Sequence, residues 1–388
     1  MKKILIVLST LLLVLSCSKI DAVKIVDLAT LSTDYEARDG EILTGILSGN
    51  YKITIADGAT VTLKNAVIYG VNDQNYKWAG ITPLGDATLV LEESNIVKGF
   101  YDEFPGIYVP EGRTLTIKGK GKLDVSSNGY APGIGSDDEF GKNCGNIVIQ
   151  GGTIRATGGN NSAAIGAGAD MHCGYITISG GTVTAKGGES GAGIGCGYGA
   201  SCGNITISGG MITAKGGESG AGIGCGHEGK CGNISISGGS VTSKGGSDAA
   251  GIGSGEGSYA DDDDGSDAPS VCGDITINGG TVSTIGRSIL SAAGIGSGSQ
   301  NSICGNILIS GGTVTTEGGL KSAGIGTSEK GSVGNITITS GVTQVSAKKW
   351  NENTPHSIGG GANYVRIGTV TVGGKEGPVS ESPFVYKP

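Results

Sequence analysis

Acidic side chains are the residues of this chain best suited to acid–base chemistry, and they form two clusters, Asp137-Asp138-Glu139 and Asp261 to Asp264. Hydrolysis of a glycosidic bond needs two carboxyl groups about 5 to 9.5 Å apart. The two clusters lie at equivalent points of a sequence repeat, four copies apart. Stacked strands would separate them by roughly 19 Å. Because His172, His227 and His356 also fall at different points of the repeat, we predict that the chain is not an enzyme.

The four adjacent carboxylates of Asp261, Asp262, Asp263 and Asp264 could bind Ca²⁺, since oxygen ligands and negative charge suit this cation. The spacing is not that of an EF-hand loop, because Ala260 would occupy the first ligand position if Gly265 took the glycine position. We favour a solvated acidic loop here, with Ca²⁺ as the alternative and no other cofactor.

Lysines recur on one outward edge of the repeat, at Lys186, Lys215 and Lys244, and Glu189 and Glu218 follow the first two by three residues. Such an edge could contact an acidic sugar. A solvated face is the commoner role of such charges, so we expect the lysines to be balanced locally by the glutamates.

Aromatic residues make up 5% of the chain, and several of them fall between residues 76 and 130. They either cap the open end of the core, which we favour, or form a row of rings against which successive sugars stack. No other row of the chain suits glycan binding. The candidate carbohydrate-binding residues are Tyr76, Trp78, Tyr101, Phe104, Tyr108 and Tyr130.

Besides Cys17, which follows the apolar N-terminal run, the chain has eight cysteines, and they fall in columns of the repeat. Equivalent positions of stacked strands lie about 4.8 Å apart, within the Cα separation that a disulfide tolerates. Two interpretations remain: the eight cysteines form four disulfides, or they form a stack of reduced, buried thiols. In neither case do we expect them to be catalytic. The candidate pairs are Cys144 with Cys173, Cys202 with Cys231, Cys272 with Cys304, and Cys196 with Cys225.

These residues are positioned by a repeat, exemplified by Cys202 to Cys225, which recurs every 29 residues in the middle of the chain. Each copy has two alternating runs, such as Ile205 to Ser208 and Ile212 to Lys215, and a third run containing Ile223. Alternation with period 2 predicts strands. One copy cannot bury its apolar face alone, so copies must stack. We predict an all-β, right-handed parallel β-helix of about ten rungs, with three strands per rung.

Composition agrees with this architecture and excludes one class of partner. Glycine, at 77 of 388 residues, occurs in pairs at predicted turns rather than at every third position, which excludes collagen. The net charge of −8 and the lack of a basic cluster argue against nucleic acid binding. The predicted organisation is a signal peptide (1–16), a lead-in linker (17–40), the β-helix (41–375) and a tail (376–388).

The first sixteen residues indicate an export signal, with Lys2 and Lys3 before an apolar run from Ile4 to Leu15. This run is too short to span a membrane. The Cys17 that follows resembles the lipidated cysteine of bacterial lipoproteins, although Val14 replaces the usual leucine. We expect an exported, membrane-anchored lipoprotein, with the membrane face left open; an ordinary signal peptide is the alternative.

Three stretches and the repeats that follow them carry a resemblance to a known group: Ala59 to Leu63, Trp78 to Thr82, and Pro105 to Gly112. The chain resembles surface β-helix proteins of gut bacteria, and is similar to carbohydrate-binding, pectate-lyase-like β-helices without lyase residues. The resemblance covers about residues 40 to 360 and implies a non-enzymatic protein for glycan binding or surface adhesion, with a polysaccharide or a host or cell-surface glycan as partner. The alternatives are a purely structural or adhesive protein and a Ca²⁺-dependent polysaccharide lyase.

Overall fold

The chain folds as a parallel β-helix, in which strands of successive rungs pair in register around one apolar core. A computed structural model describes residues 24–137, 142–258, 268–286 and 291–388. These residues contain no α-helix; the one helical turn is the 3₁₀ turn Leu28–Thr30. The predicted fold class and the period of about 29 residues per rung are confirmed.

A regular rung has four strands rather than the predicted three, so the chain forms four walls, each named here by its sequence. The fourth strand is the residue pair that ends in cysteine, such as Ser201–Cys202. The inward cysteine pairs with the cysteine of the next rung, as Cys202 does with Cys231. Sequence analysis missed this strand because two residues are too few to show alternation.

The Ile-Thr-Ile wall and the Val-Thr-Ala wall together form a 22-stranded sheet. The Ile-Thr-Ile wall comprises Ile25–Asp27, Ile42–Ile46, Thr60–Ile68, Ala87–Glu92, Thr114–Gly119, Asn146–Ile149, Ile176–Ile178, Ile205–Ile207, Ile234–Ile236, Ile275–Ile285, Ile307–Glu317, Ile336–Ile338, Val370–Val372 and Lys375–Glu376. The Val-Thr-Ala wall comprises the second halves of Thr60–Ile68, Ile275–Ile285 and Ile307–Glu317, with Ser94–Lys98, Lys122–Ser126, Thr153–Thr157, Thr182–Lys186, Met211–Lys215, Ser240–Lys244, Gln344–Lys348 and Phe384–Tyr386.

The other two walls consist of two-residue strands. The Ile-Gly wall comprises Ile107–Tyr108, Ile134–Gly135, Ile165–Gly166, Ile194–Gly195, Ile223–Gly224, Ile252–Gly253, Ile295–Gly296, Ile325–Gly326 and Ile358–Gly359. The cysteine wall comprises His172–Cys173, Ser201–Cys202, Lys230–Cys231, Val271–Cys272, Ile303–Cys304, Ser332–Val333 and Arg366–Ile367. A three-stranded sheet of Tyr35–Ala37, Ile53–Ile55 and Thr82–Pro83 lies in the first rungs.

Alternation within each strand separates the core from the solvent. Ile205 and Ile207 are fully buried, whereas Thr206 between them reaches the surface. Ile194 and Ile223, fully buried in the Ile-Gly wall, are direct partners in adjacent rungs. Equivalent positions of the sequence repeat are therefore columns in space, as the period predicts.

Glycine is required where the walls turn and approach one another. Gly224 has a φ of +135°, in the left-handed region, and a Cβ placed on it would lie 1.9 Å from the carbonyl oxygen of Gly253. Neither the backbone conformation nor the space admits a side chain. The high glycine content follows from this packing.

An asparagine column ties successive rungs together at the start of the Ile-Thr-Ile wall. The side-chain oxygen of Asn204 accepts a hydrogen bond from the backbone N–H of Asn233 at 2.9 Å, and Asn233 does the same for Asp274 at 2.9 Å. Asp274 continues the series to Asn306 at 2.7 Å. The bonds are side chain to backbone, so aspartate can replace asparagine in this column.

Both ends of the β-helix differ from the predicted boundaries. Ile25–Asp27 pairs in parallel with Ile42–Ile46, so the coil begins within the segment predicted as a linker. In the predicted tail, Phe384–Tyr386 pairs antiparallel with Gln344–Lys348. An antiparallel strand ends the parallel stack and covers its open edge. Short strands with weak alternation explain why sequence analysis missed these segments.

The predicted signal peptide and Cys17 lie outside the described residues, and no described helix is long and apolar enough to cross a membrane.

Candidate functional site

A groove lined by lysines runs across three rungs beside the Val-Thr-Ala wall. Lys186, Lys215 and Lys244 end their strands, pair in register from rung to rung, and are exposed. We call the groove that they line, with a volume of about 410 Å³, the lysine groove. Neighbouring strands place equivalent positions about 4.8 Å apart, so the column concentrates positive charge on a protein of net charge −8.

Glycine pairs form the floor of the lysine groove, one pair after each lysine. The first glycine of a pair packs against the backbone of its own rung: a Cβ on Gly216 would lie 1.9 Å from the oxygen of Gly220. The second packs against the preceding rung: a Cβ on Gly217 would lie 1.6 Å from the oxygen of Gly188. The floor therefore cannot carry side chains, and the groove stays open to a ligand.

Asn160, Glu189 and Glu218 also line the lysine groove. Within the described part of the chain, neither glutamate forms an ion pair with a groove lysine. The expectation of local balance stays a prediction, because the glutamates line the same groove without pairing with the lysines.

The same column supplies an internal comparison, because its later rungs carry Glu317 and Lys348. These two side chains are register partners and form an ion pair of 2.8 Å. Opposite charges in adjacent rungs of this column thus reach each other. The three groove lysines have only like charges or neutral residues as register partners, and like charges directly opposite one another are destabilising.

Two of the aromatic candidates, Tyr76 and Trp78, pack in a cluster with Phe100. The ring centroids of Tyr76 and Trp78 are 5.4 Å apart, and those of Trp78 and Phe100 are 5.7 Å apart. Phe100 is fully buried, and Tyr76 and Trp78 pack against the core. Lys52 Nζ lies 5.2 Å from the centroid of the Trp78 ring.

The remaining aromatic candidates differ in how far their rings are exposed to solvent. Phe104, at 2% exposure, is part of the core, so the structure leaves it no face for a sugar. Tyr101 has Lys77 Nζ 5.9 Å from its centroid. The hydroxyl of Tyr108 donates to the carbonyl of Asn143 at 3.2 Å, and burial raises the pKa of this phenol. Tyr130, 46% exposed, retains an open ring face.

The acidic candidates are only partly within the described residues. Asp137 is buried, and its carboxylate lies 3.5 Å from Lys142 Nζ. Asp261 to Asp264 lie outside the described residues. Among the residues that are described, no group of three or more His, Cys, Asp or Glu side chains has an arrangement that could hold a metal ion. The eight cysteines from Cys144 to Cys304 are all buried, and the structure joins none of them in a disulfide.

Parallel ladders around a single apolar core define the class of parallel β-helix proteins. Six segments of the chain match the family model described as a beta helix repeat: residues 147–169, 176–198, 205–227, 234–256, 275–299 and 307–329. The observed fold and these matches together support a β-helix repeat protein. A comparison with curated proteins and one with solved structures each found no match.

Sequence analysis identified the lysine column but not the groove beside it. The floor glycines, such as Gly216 and Gly217, were interpreted only as turn residues. A signal was present: Lys-Gly-Gly-Glu recurs at Lys186 and Lys215, and Lys-Gly-Gly-Ser at Lys244. A charged residue followed by glycine pairs in successive rungs predicts a charged edge above a bare floor.

Proposed function

We propose that this protein is an exported, non-enzymatic β-helix that binds an acidic polysaccharide along the lysine groove. The observation that carries the proposal is the column of Lys186, Lys215 and Lys244, exposed, in register, and without an ion pair among the described residues. A polymer with regularly spaced carboxylates matches a regular column of ammonium groups. One strand of such a polymer could contact all three rungs.

Charge balance supports a bound anion. Three ammonium groups in one column repel each other, whereas carboxylates placed between them convert repulsion into attraction. The glutamates that line the same groove, Glu189 and Glu218, suit the hydroxyl groups of a sugar, because an ionised carboxylate only accepts hydrogen bonds. A sugar acid carries both chemical groups, whereas a simple inorganic anion carries only one.

The strength of the interaction can be estimated from exposed ion pairs. Each such pair contributes about 0.2 to 1 kcal/mol, so three contacts contribute about 0.6 to 3 kcal/mol. Loss of all three contacts corresponds to an increase in Kd of about 3- to 150-fold. Because the groove is open to solvent, screening by salt should weaken binding strongly.

The test is titration calorimetry with polygalacturonate and, as a neutral counterpart, its fully methyl-esterified form. The triple variant K186Q/K215Q/K244Q should lose affinity for the polyanion, and the esterified polymer should not bind the native protein. The matched control is K348Q, which removes a lysine of the same column that is paired with Glu317. Equal binding by the native protein and the triple variant, or no binding by either, would overturn the proposal.

A second glycan site would use the exposed ring of Tyr130. The variant Y130A separates the two sites, because truncation of a half-exposed ring should leave the core intact. Loss of polygalacturonate binding in Y130A but not in the lysine variant would favour the aromatic candidates. An adhesive protein without a small ligand would bind neither polymer, and a Ca²⁺-dependent lyase would release ultraviolet-absorbing unsaturated sugars.

Anchoring of the protein is part of the proposal. The sequence Val14-Leu15-Ser16-Cys17 supports cleavage before Cys17 and attachment of lipid to it. Mass spectrometry of the mature N-terminus from a bacterial membrane fraction should find a lipid-modified Cys17. The C17S variant should leave the membrane fraction, and a C17S protein that stays there would contradict the anchor.

A further inference from the structure

The interior of the β-helix holds eight buried thiols in two neighbouring columns. The cysteine wall supplies the longer column, in which each cysteine pairs in register with the next rung's cysteine. Its members are Cys144, Cys173, Cys202, Cys231, Cys272 and Cys304. Cys196 and Cys225 form the second column, directly after the paired strands Ile194–Gly195 and Ile223–Gly224.

The thiols contact one another both within and between rungs: Cys196 contacts Cys202 and Cys225, and Cys202 also contacts Cys231. Two sulfur–sulfur distances guide the choice between the possible pairings. The Sγ atoms of Cys144 and Cys173 are 2.7 Å apart, which joins adjacent rungs. The Sγ atoms of Cys225 and Cys231 are 2.9 Å apart, and these two residues lie six positions apart in the same turn of the chain. The second contact crosses from one column to the other, whereas the sequence analysis paired each cysteine within its own column.

We propose that the eight thiols form four disulfides, two between rungs (Cys144–Cys173 and Cys272–Cys304) and two within a rung (Cys196–Cys202 and Cys225–Cys231). The within-rung pairs replace the predicted Cys202–Cys231 and Cys196–Cys225 bonds. Disulfides persist in oxidising compartments, so their presence in cells rests on the proposed export. Their pairing is a property of the fold.

The pairing follows from the contact of Cys225 with Cys231 and from the repeat. Cys196 and Cys202 are the register equivalents of Cys225 and Cys231 in the preceding rung, with the same spacing of six residues. A bond between Cys225 and Cys231 removes one column partner from each of Cys196 and Cys202. The other column partner of Cys202 is Cys173, which contacts Cys144, so Cys196 and Cys202, which contact each other, pair together. Side chains that already direct their sulfurs at one another need little backbone movement to form the bond.

The remaining four cysteines of the longer column then form two pairs. Cys144 pairs with Cys173, with which it is in contact. Cys272 and Cys304 are register partners in adjacent rungs, and once Cys231 is bonded within its own rung they have only each other. The following rung places Val333 in this column, so no further thiol competes for Cys304.

The oxidant is a second disulfide, either glutathione disulfide or a thiol–disulfide oxidoreductase. A cysteine thiolate attacks that disulfide and displaces one sulfur as a thiol, and the partner cysteine then displaces the other. Each protein disulfide thus forms as two protons and two electrons pass to the oxidant, which leaves as two thiols. Burial raises the pKa of Cys144 in the folded protein, so the exchange belongs to folding, before the rungs close.

Tryptic mapping tests the pairing, because lysines separate the critical cysteines. The full chain is refolded in reduced and oxidised glutathione, free thiols are alkylated under denaturing conditions, and the protein is digested without reduction. Peptide 187–215 contains both Cys196 and Cys202, whereas Cys225 and Cys231 fall in peptides 216–230 and 231–244.

The proposal predicts peptide 187–215 alone, lighter by two hydrogen atoms, and peptide 216–230 joined to peptide 231–244. One assembly of all three peptides would show between-rung pairing, and alkylation of all four cysteines would show thiols; either result overturns the proposal. In the C225S variant, Cys231 should be alkylated while peptide 187–215 keeps its internal bond. A Cys202–Cys231 bond in that variant would contradict the assignment. Refolding in glutathione makes the outcome independent of export and of glycan binding.

Discussion

Replacement of Ile223 by alanine tests whether stacked isoleucines hold the rungs together. Ile223 is fully buried and pairs with Ile194 on one side and Ile252 on the other. The substitution removes three carbon atoms, worth about 2.4 kcal/mol of transfer free energy. A cavity penalty adds to this, because backbone ladders on both sides keep the rungs from collapsing into the space. We expect a total loss of about 4 kcal/mol, within the usual range of about 2 to 5 kcal/mol.

The measurement is urea unfolding followed by far-ultraviolet circular dichroism, with amide hydrogen exchange to localise the effect. Exchange is needed because repeat arrays can unfold in parts. The matched control is M211A in the same rung, where a side chain that is 59% exposed is removed; it should change stability by less than about 0.5 kcal/mol. Equal unfolding midpoints for I223A and M211A would refute the role assigned to the isoleucine column.

Three further predictions concern Glu41 in the first rungs, the asparagine column and two glycines. Burial would raise the pKa of Glu41, but hydrogen bonds led by that from Lys24 (2.7 Å) outweigh it and lower the pKa. The stability that Glu41 contributes is therefore present above its unfolded pKa of about 4.3 and is lost as the pH falls through the lower folded value. Between about pH 6 and pH 3, the melting temperature of the native protein should therefore fall more than that of E41Q. Equal falls in melting temperature would contradict this prediction. N233A should lose about 1 kcal/mol in urea unfolding while N233D, which keeps the acceptor oxygen, loses less; equal losses would exclude the ladder. G224A should lower the free energy of unfolding by at least about 3 kcal/mol. The control G40A, with positive φ but no atom within 4 Å of the added Cβ, should lower it by about 1 to 2 kcal/mol. Similar losses in the two variants would show that the backbone clash at Gly224 is relieved.

The repeat could be predicted from sequence because each rung obeys the same local rule. Alternation at Ile205 to Ile207 indicates which side chains are buried, and the constant period indicates that rungs stack in register. Both properties depend on residues close in sequence. The isoleucine of the third run recurs from Ile81 to Ile358, and every member of this column is accordingly fully buried.

Features that depend on contacts between different parts of the chain were not predictable in this way. The antiparallel strand Phe384–Tyr386 ends the coil through pairing with a distant strand, and its sequence carries no signal for its partner. Sequence analysis left a row and a cap open for the aromatic candidates, and it did not show that Trp78 packs on Phe100.

Charge pairing in the lysine groove is another property that spacing alone does not reveal. A glutamate three residues after Lys186 suggests an ion pair, but Gly187 and Gly188 set the direction of the backbone between the two charges. The structure of the turn, rather than the count of charges, leaves the lysines available. The same limit applies to Cys225 and Cys231, whose contact crosses between columns that the repeat keeps separate.

The most direct test of the account is a crystal structure of the protein with a galacturonate oligomer bound. The account predicts the oligomer in the lysine groove, with its carboxylates within about 4 Å of Nζ of Lys186, Lys215 and Lys244. An oligomer bound instead at Tyr130, or an empty groove at a concentration that saturates binding in solution, would contradict it.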